Sequence, residues 1–256
     1  MTRRMSAVLA AGMFLAAGLG YAQKPKSQKE VDALMAIQNA TTADARIAAI
    51  ENLLTKFADT EFKVIVLEMA SETARMKGDA DQTIIYCERT LDADPNNLAS
   101  LSMLAKTIAE RTREFDLDKE EKLKRAEGYA KKVIELAPNA KKANSMLTDE
   151  QWAGRVKDLV SQAHEGLAAA AFVRKQNDAA IAEYKLAIES AATPDPTTMI
   201  RLGVAYNAAQ KYDDAIAVLD KAIASTDNAQ VKQVAGQEKV KAATAKASQQ
   251  QKKAGS

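Results

Sequence analysis

The sequence predicts an all-α protein built as a solenoid of antiparallel helix pairs, and three observations carry that expectation. Aromatics make up only 5% of 256 residues, with five prolines, ten glycines and abundant alanine. Such a composition suits close-packed helices better than a β-sandwich or barrel. Apolar residues recur three and four positions apart through most of the chain, the period of a helix buried on one face. Finally, HEGLAAAAFVRKQNDAAIAEYKLAIESA, from His164, aligns with MIRLGVAYNAAQKYDDAIAVLDKAIAST, from Met199, at an offset of 35. Leu167 falls on Leu202, Ala171 on Tyr206, Ala180 on Ala215, Tyr184 on Leu219 and Ala187 on Ala222.

Taken in order, residues 1–22 read as an export signal. Arg3 and Arg4 form a basic start, residues 6–19 are apolar, and Gly20-Tyr21-Ala22 is a small-x-small cleavage site, so cleavage is expected after Ala22. No further segment has the length and apolarity of a membrane span. KEVDALMAIQNA is expected as a first helix, and ARIAAIENLLTKFADTE as its partner with Ile50, Leu53 and Leu54 inward. The next helix turns Leu67, Ala70 and Ala74 inward. GDADQTIIYCERTLDADPNN then supplies a turn at Gly78-Asp79, a helix burying Thr83, Cys87 and Thr90, and an exit at Pro95.

Leu101, Leu104 and Ile108 mark the following helix, and Ala126, Ala130 and Val133 its partner. The interval between Pro95 and Pro138 is long for one helix pair, and the surplus is placed around EFDLDKEEKL as a longer turn, with Asp118 and Glu121 as a capping box. Thr148 and Gln151 begin one unusually long helix reaching about Asn177, and Asp195-Pro196 begins the last pair. Residues 230–256 carry six lysines against Glu238 alone, a charge of +5, while residues 23–229 carry −5. This tail is expected to form a capping helix followed by a disordered end.

Met199, Leu202, Gly203, Tyr206, Ala215, Leu219 and Ala222 resemble the signature of the tetratricopeptide repeat, with methionine in the place of its tryptophan. His164, Leu167, Ala168, Ala171, Ala180, Tyr184 and Ala187 repeat it with alanine for the signature glycine. The resemblance implies a right-handed superhelix with units near 29–60, 64–97, 98–140, 148–194 and 196–229, forming one repeat domain over 23–229. It also implies that first-helix side chains line a groove for a peptide or a partner's helix. Carried over by motif, the lining is Glu68, Glu72, Arg75, Ser102, Lys106, Glu165, Ala169, Phe172, Ile200, Val204 and Asn207.

Catalytic parts are scarce. A single histidine, His164, rules out zinc sites needing two or three histidines from one chain. The single cysteine, Cys87, cannot form an intramolecular disulfide and is expected as a buried thiol. Asp79 and Asp81 run directly into a helix without the loop glycine of a calcium site, so they read as helix-start charges. No phosphate-binding or dinucleotide fingerprint is present, and no cofactor or metal is expected. Basic-aromatic interleaving of the nucleic-acid kind is also missing. The expected function is a non-catalytic, exported adaptor that binds another protein in the periplasm or envelope. The alternatives are a structural envelope protein whose basic tail touches an acidic polymer or membrane surface, and, third, a hydrolase using Cys87 and His164.

Overall fold

Residues 23–142 and 147–254 are described by the structure, a computed structural model of the chain. The export signal over residues 1–22 lies outside them. Among the described residues there are eleven α-helices and no strand: α1 (Gln28–Asn39), α2 (Ala43–Lys56), α3 (Lys63–Lys77), α4 (Ala80–Ala93), α5 (Leu98–Arg111), α6 (Lys119–Leu136), α7 (Asp149–Val173), α8 (Asn177–Ser190), α9 (Pro196–Ala208), α10 (Tyr212–Ala224) and α11 (Ala229–Ala254). A short 3-10 turn, Ala137–Asn139, follows α6.

Short polar side chains start many of these helices. Ser27, Thr42, Asp79, Asn97, Thr148 and Asp195 each accept a hydrogen bond from a backbone N–H of the first turn, satisfying a donor the helix cannot. Thr148 and Gln151 complete the expected capping box, and α7 runs for 25 residues. The box expected at Asp118 is not made. There the turn closed by Lys119 N–H on Asp116 C=O holds Asp118 near φ −98°, ψ 18°, away from the extended geometry of a capping residue. Its carboxylate pairs with Lys122 at 2.9 Å instead.

Three of the turns inside helix pairs are built alike. The N–H of Gly78, Lys175 and Gln210 bonds the carbonyl of Arg75, Phe172 and Asn207, and the next N–H reaches back to Ala74, Ala171 and Tyr206. This double closure needs a left-handed residue, and Gly78 (φ 78°), Lys175 (φ 62°) and Gln210 (φ 59°) provide it. Lys175 and Gln210 are again 35 positions apart, so the sequence repeat is also a repeat of backbone conformation. The α5–α6 connection differs: it takes residues 112–118 and two successive turns. The Asp116 carboxylate folds inward to accept from the Arg113 N–H at 3.1 Å, and its neighbours Phe115 and Leu117 stand 89% and 107% exposed.

Each first helix packs on its own second helix, and α5 also packs closely on α7. Ile50, Leu53, Leu67, Ala70, Ala74, Thr83, Cys87, Thr90, Leu101, Leu104, Ile108, Ala126, Ala130 and Val133 are buried as the spacing predicts, while Leu54 is half-buried. Two glycines set helix separations. A Cβ on Gly203 would sit 2.6 Å from the side chain of buried Leu219, so the signature glycine here makes room for a side chain. A Cβ on Gly166 would sit 2.8 Å from the backbone of Ala105, which fixes how closely α7 approaches α5.

The carboxy-terminal segment departs from expectation. No glycine or proline falls between Gly236 and Gly255, and the alanine, glutamine and lysine of residues 248–254 favour helix, so α11 continues through Ala254. Ala235 and Ala242, seven apart, are its buried positions. Its lysines turn back onto the chain: Lys232, Lys239, Lys241 and Lys246 ion-pair with Asp227, Asp220, Glu238 and Asp213.

Candidate interaction groove

The first helices α3, α5, α7 and α9 together line a groove in two parts. The larger, about 700 Å3, lies between α3, α5 and the amino-terminal half of α7. Glu68, Glu72, Arg75 and Lys106 line it, and α7 adds Arg155, Asp158 and Gln162. The smaller, about 350 Å3, is lined by Ala109, Ala169, Phe172, Val173, Tyr184 and Val204. Glu110 borders both parts, and its ion pair with Arg201 joins α5 to α9 at the boundary.

Four residues assigned to the groove lie elsewhere. Ser102 is fully buried, its hydroxyl donating to Ala99 C=O at 3.0 Å and lying 3.3 Å from Gln162 Oε1. Glu165 is also buried, ion-paired to Lys106 and accepting from the Thr198 hydroxyl, so it ties α5, α7 and α9 together from below the lining. Burial of a carboxylate is tolerable only with such partners. Ile200 packs with Leu219, Ala222 and Ala235. Asn207 donates to Glu238 C=O at 3.3 Å. The last two contacts have one cause: α11 stands against α9 as the first helix of a further repeat would, and covers that end.

Arg155, Asp158 and Gln162 were missed because they sit on the extra amino-terminal turns of α7, which have no counterpart in the repeat signature. Their spacing of three and four is a helical stripe, and that signal could have marked them. Arg201, Tyr184 and Asp195 come from positions the signature does not assign to a groove.

The two parts differ electrically. Burial pushes the Glu68 carboxyl up; a 2.5 Å bond from Asn97 Nδ2 and the field of Arg155 oppose it without cancelling it. Burial also works against the Arg201 charge, but Glu110 outweighs it and the guanidinium is held above its ordinary range. In the smaller part, burial pushes the Tyr184 hydroxyl up to about 12, so it is neutral at physiological pH.

The groups considered for catalysis have other employment. Cys87 is fully buried beside Leu104, Ile108 and Leu123, and burial pushes its thiol up to about 12, far from a nucleophilic thiolate. His164 Nδ1 lies 2.7 Å from Glu183 Oε2, between α7 and α8. Asp79 caps α4 through Gln82 N–H at 3.0 Å, and Asp81 pairs with Arg111 at 3.1 Å.

No protein-family model matches the chain, and no curated protein matches its sequence. Its structure is similar to that of TTC0263, a thermophilic tetratricopeptide-repeat protein of Thermus thermophilus, at 16% identity and a TM-score of 0.53, covering 85% of this chain and 95% of that one. Weaker likenesses are to MamA (21% identity, TM-score 0.42, 72% of this chain and 88% of that one) and to the TPR2AB domain of yeast Sti1 in complex with pHSP90 (18%, 0.30, 84% of each). The fold is therefore a tetratricopeptide-repeat helical solenoid.

Proposed function

We propose that this chain is an exported, non-catalytic scaffold that holds a segment of another protein in the groove across α3, α5, α7 and α9. The observation that carries the reading is the groove itself: polar and charged over its larger part, apolar at the Phe172 end, and open along helices that the repeat fold leaves uncovered. Rigid helices with an apolar anchor site and flanking polar groups are suited to recognising a peptide or helix. The basic start, apolar run and Gly20-Tyr21-Ala22 site of the sequence support export, and with it a role in the periplasm or envelope.

The reading in which the basic tail attaches to an acidic polymer or membrane is less well supported. Lys232, Lys239, Lys241 and Lys246 are ion-paired to carboxylates of the chain, leaving less charge to attract an anionic surface. Pull-down from an envelope fraction, comparing the natural chain with a combined Glu68→Ala, Arg75→Ala, Arg155→Ala and Phe172→Ser variant, tests the groove. Loss of specific partners from the variant is expected. Equal recovery would remove the groove from consideration, and recovery lost only on deleting residues 230–256 would favour the tail.

A further inference from the structure

We propose that the groove takes a cationic segment that carries one large apolar side chain about six residues from its positive charges. This rests on the groove reading above and adds the chemistry of the occupant. The charge argument comes from which lining groups are already satisfied. Arg75 clamps Glu72 through two bonds of 2.8 and 2.5 Å. Lys106 is committed to buried Glu165, and Arg201 to Glu110. These three cations are thus neutralised by the chain itself and have little left to offer an anionic ligand.

The carboxylates are not all matched in this way. Glu68 accepts from Asn97, Asp158 accepts from the Ala192 N–H at 2.9 Å, and Asp195 accepts from the Thr197 N–H at 2.9 Å. Each of these donors is a neutral amide, so the negative charge is held in place without being cancelled. Arg155 is exposed and influences Glu68 through its field alone. Three such carboxylates against one guanidinium leave an excess of two negative charges facing the larger part of the groove. A ligand that brings lysine or arginine there meets fixed acceptors, while one that brings carboxylates meets repulsion inside a cleft of lowered dielectric.

The spacing comes from α7, which borders both parts. Asp158 lies in the larger part and Phe172 in the smaller. At about 1.5 Å per residue the two are roughly 21 Å apart along the helix, a distance an extended strand covers in about six residues at roughly 3.3 Å each. The smaller part, about 350 Å3 and lined by Phe172, Val173 and Val204, has room for one aromatic or branched side chain.

The test uses three labelled octapeptides and the full chain. One has two lysines followed six positions on by phenylalanine, the second replaces the lysines by glutamates, and the third replaces the phenylalanine by alanine. Fluorescence anisotropy at low salt is expected to show the first binding about tenfold tighter than the second. Glu68→Gln with Asp158→Asn should reduce that preference to less than about threefold, and Phe172→Ser should abolish the advantage over the alanine peptide. Circular dichroism of the variants confirms that they fold. Equal binding of the lysine and glutamate peptides, with Phe172→Ser weakening both, would overturn the charge inference and leave the groove reading standing. Binding indifferent to every groove variant would overturn both.

Discussion

Arg201 of α9 and Glu110 of α5 form an ion pair although 91 positions separate them in the chain. The pair crosses the groove side of α7 and stands where the polar part meets the apolar part. Both side chains are about 30% exposed, so the contact is partly shielded from water. Arg201→Met or Glu110→Gln alone should lower unfolding free energy by about 1–2 kcal/mol. Urea unfolding of both single variants and the double variant gives the coupling, and additive losses would show that the pair is not made.

The two left-handed turn residues make a second prediction. Lys175 and Gln210 adopt a conformation that costs a side chain roughly 1–2 kcal/mol and costs glycine little. Lys175→Gly and Gln210→Gly should each raise stability by about 1 kcal/mol, and Gly78→Ala should lower it. Thermal midpoints that fall for both glycine variants would contradict the turn geometry.

Gly166 lies within a helix, where alanine ordinarily gains about 1 kcal/mol over glycine. Here the new methyl would sit 2.8 Å from the Ala105 backbone, which cannot rotate away. Gly166→Ala should therefore destabilise the chain by about 1–3 kcal/mol through overpacking. A stabilised variant would mean that α5 and α7 are further apart.

Cys87 offers a pH-dependent test. Its folded thiol titrates near 12 because burial disfavours the thiolate, against about 8.5 in an unfolded chain. Above that lower value the unfolded state gives up the proton first, so this group's contribution to stability is complete below about pH 8.5 and declines as pH rises toward 12. At pH 8 a bulky disulfide reagent should label the native chain only as fast as it opens. Cys87→Ala should flatten the alkaline loss of stability, and rapid stoichiometric labelling of the native chain would contradict the burial.

Much of the fold is legible from residue spacing because a repeat buries the same helical faces again and again. Ala215, Leu219 and Ala222 announce an inward face, and Thr83, Cys87 and Thr90 obey the same geometry despite their different chemistry. The groove is less legible. A signature assigns a residue to a helix face but not to the neighbours that cover it, so Ile200 and Asn207 pass beneath α11, and Ser102 and Glu165 sink below the lining. Arg155 and Asp158 belong to turns the signature does not contain. The matching of Glu110 with Arg201 depends on packing between units, which no local pattern records.

Site-specific photo-crosslinking in intact cells tests the central claim most directly. Benzoylphenylalanine is placed at Phe172 or Arg155 in the groove, and at Ile85 or Leu186, which are half exposed on the second helices α4 and α8. A partner-binding groove predicts one discrete adduct from positions 172 and 155, absent from 85 and 186 and lost when a competing groove peptide is present. The same adduct from 85 or 186, with none from 172 and 155, would show that the partner binds the outer surface and contradict the account.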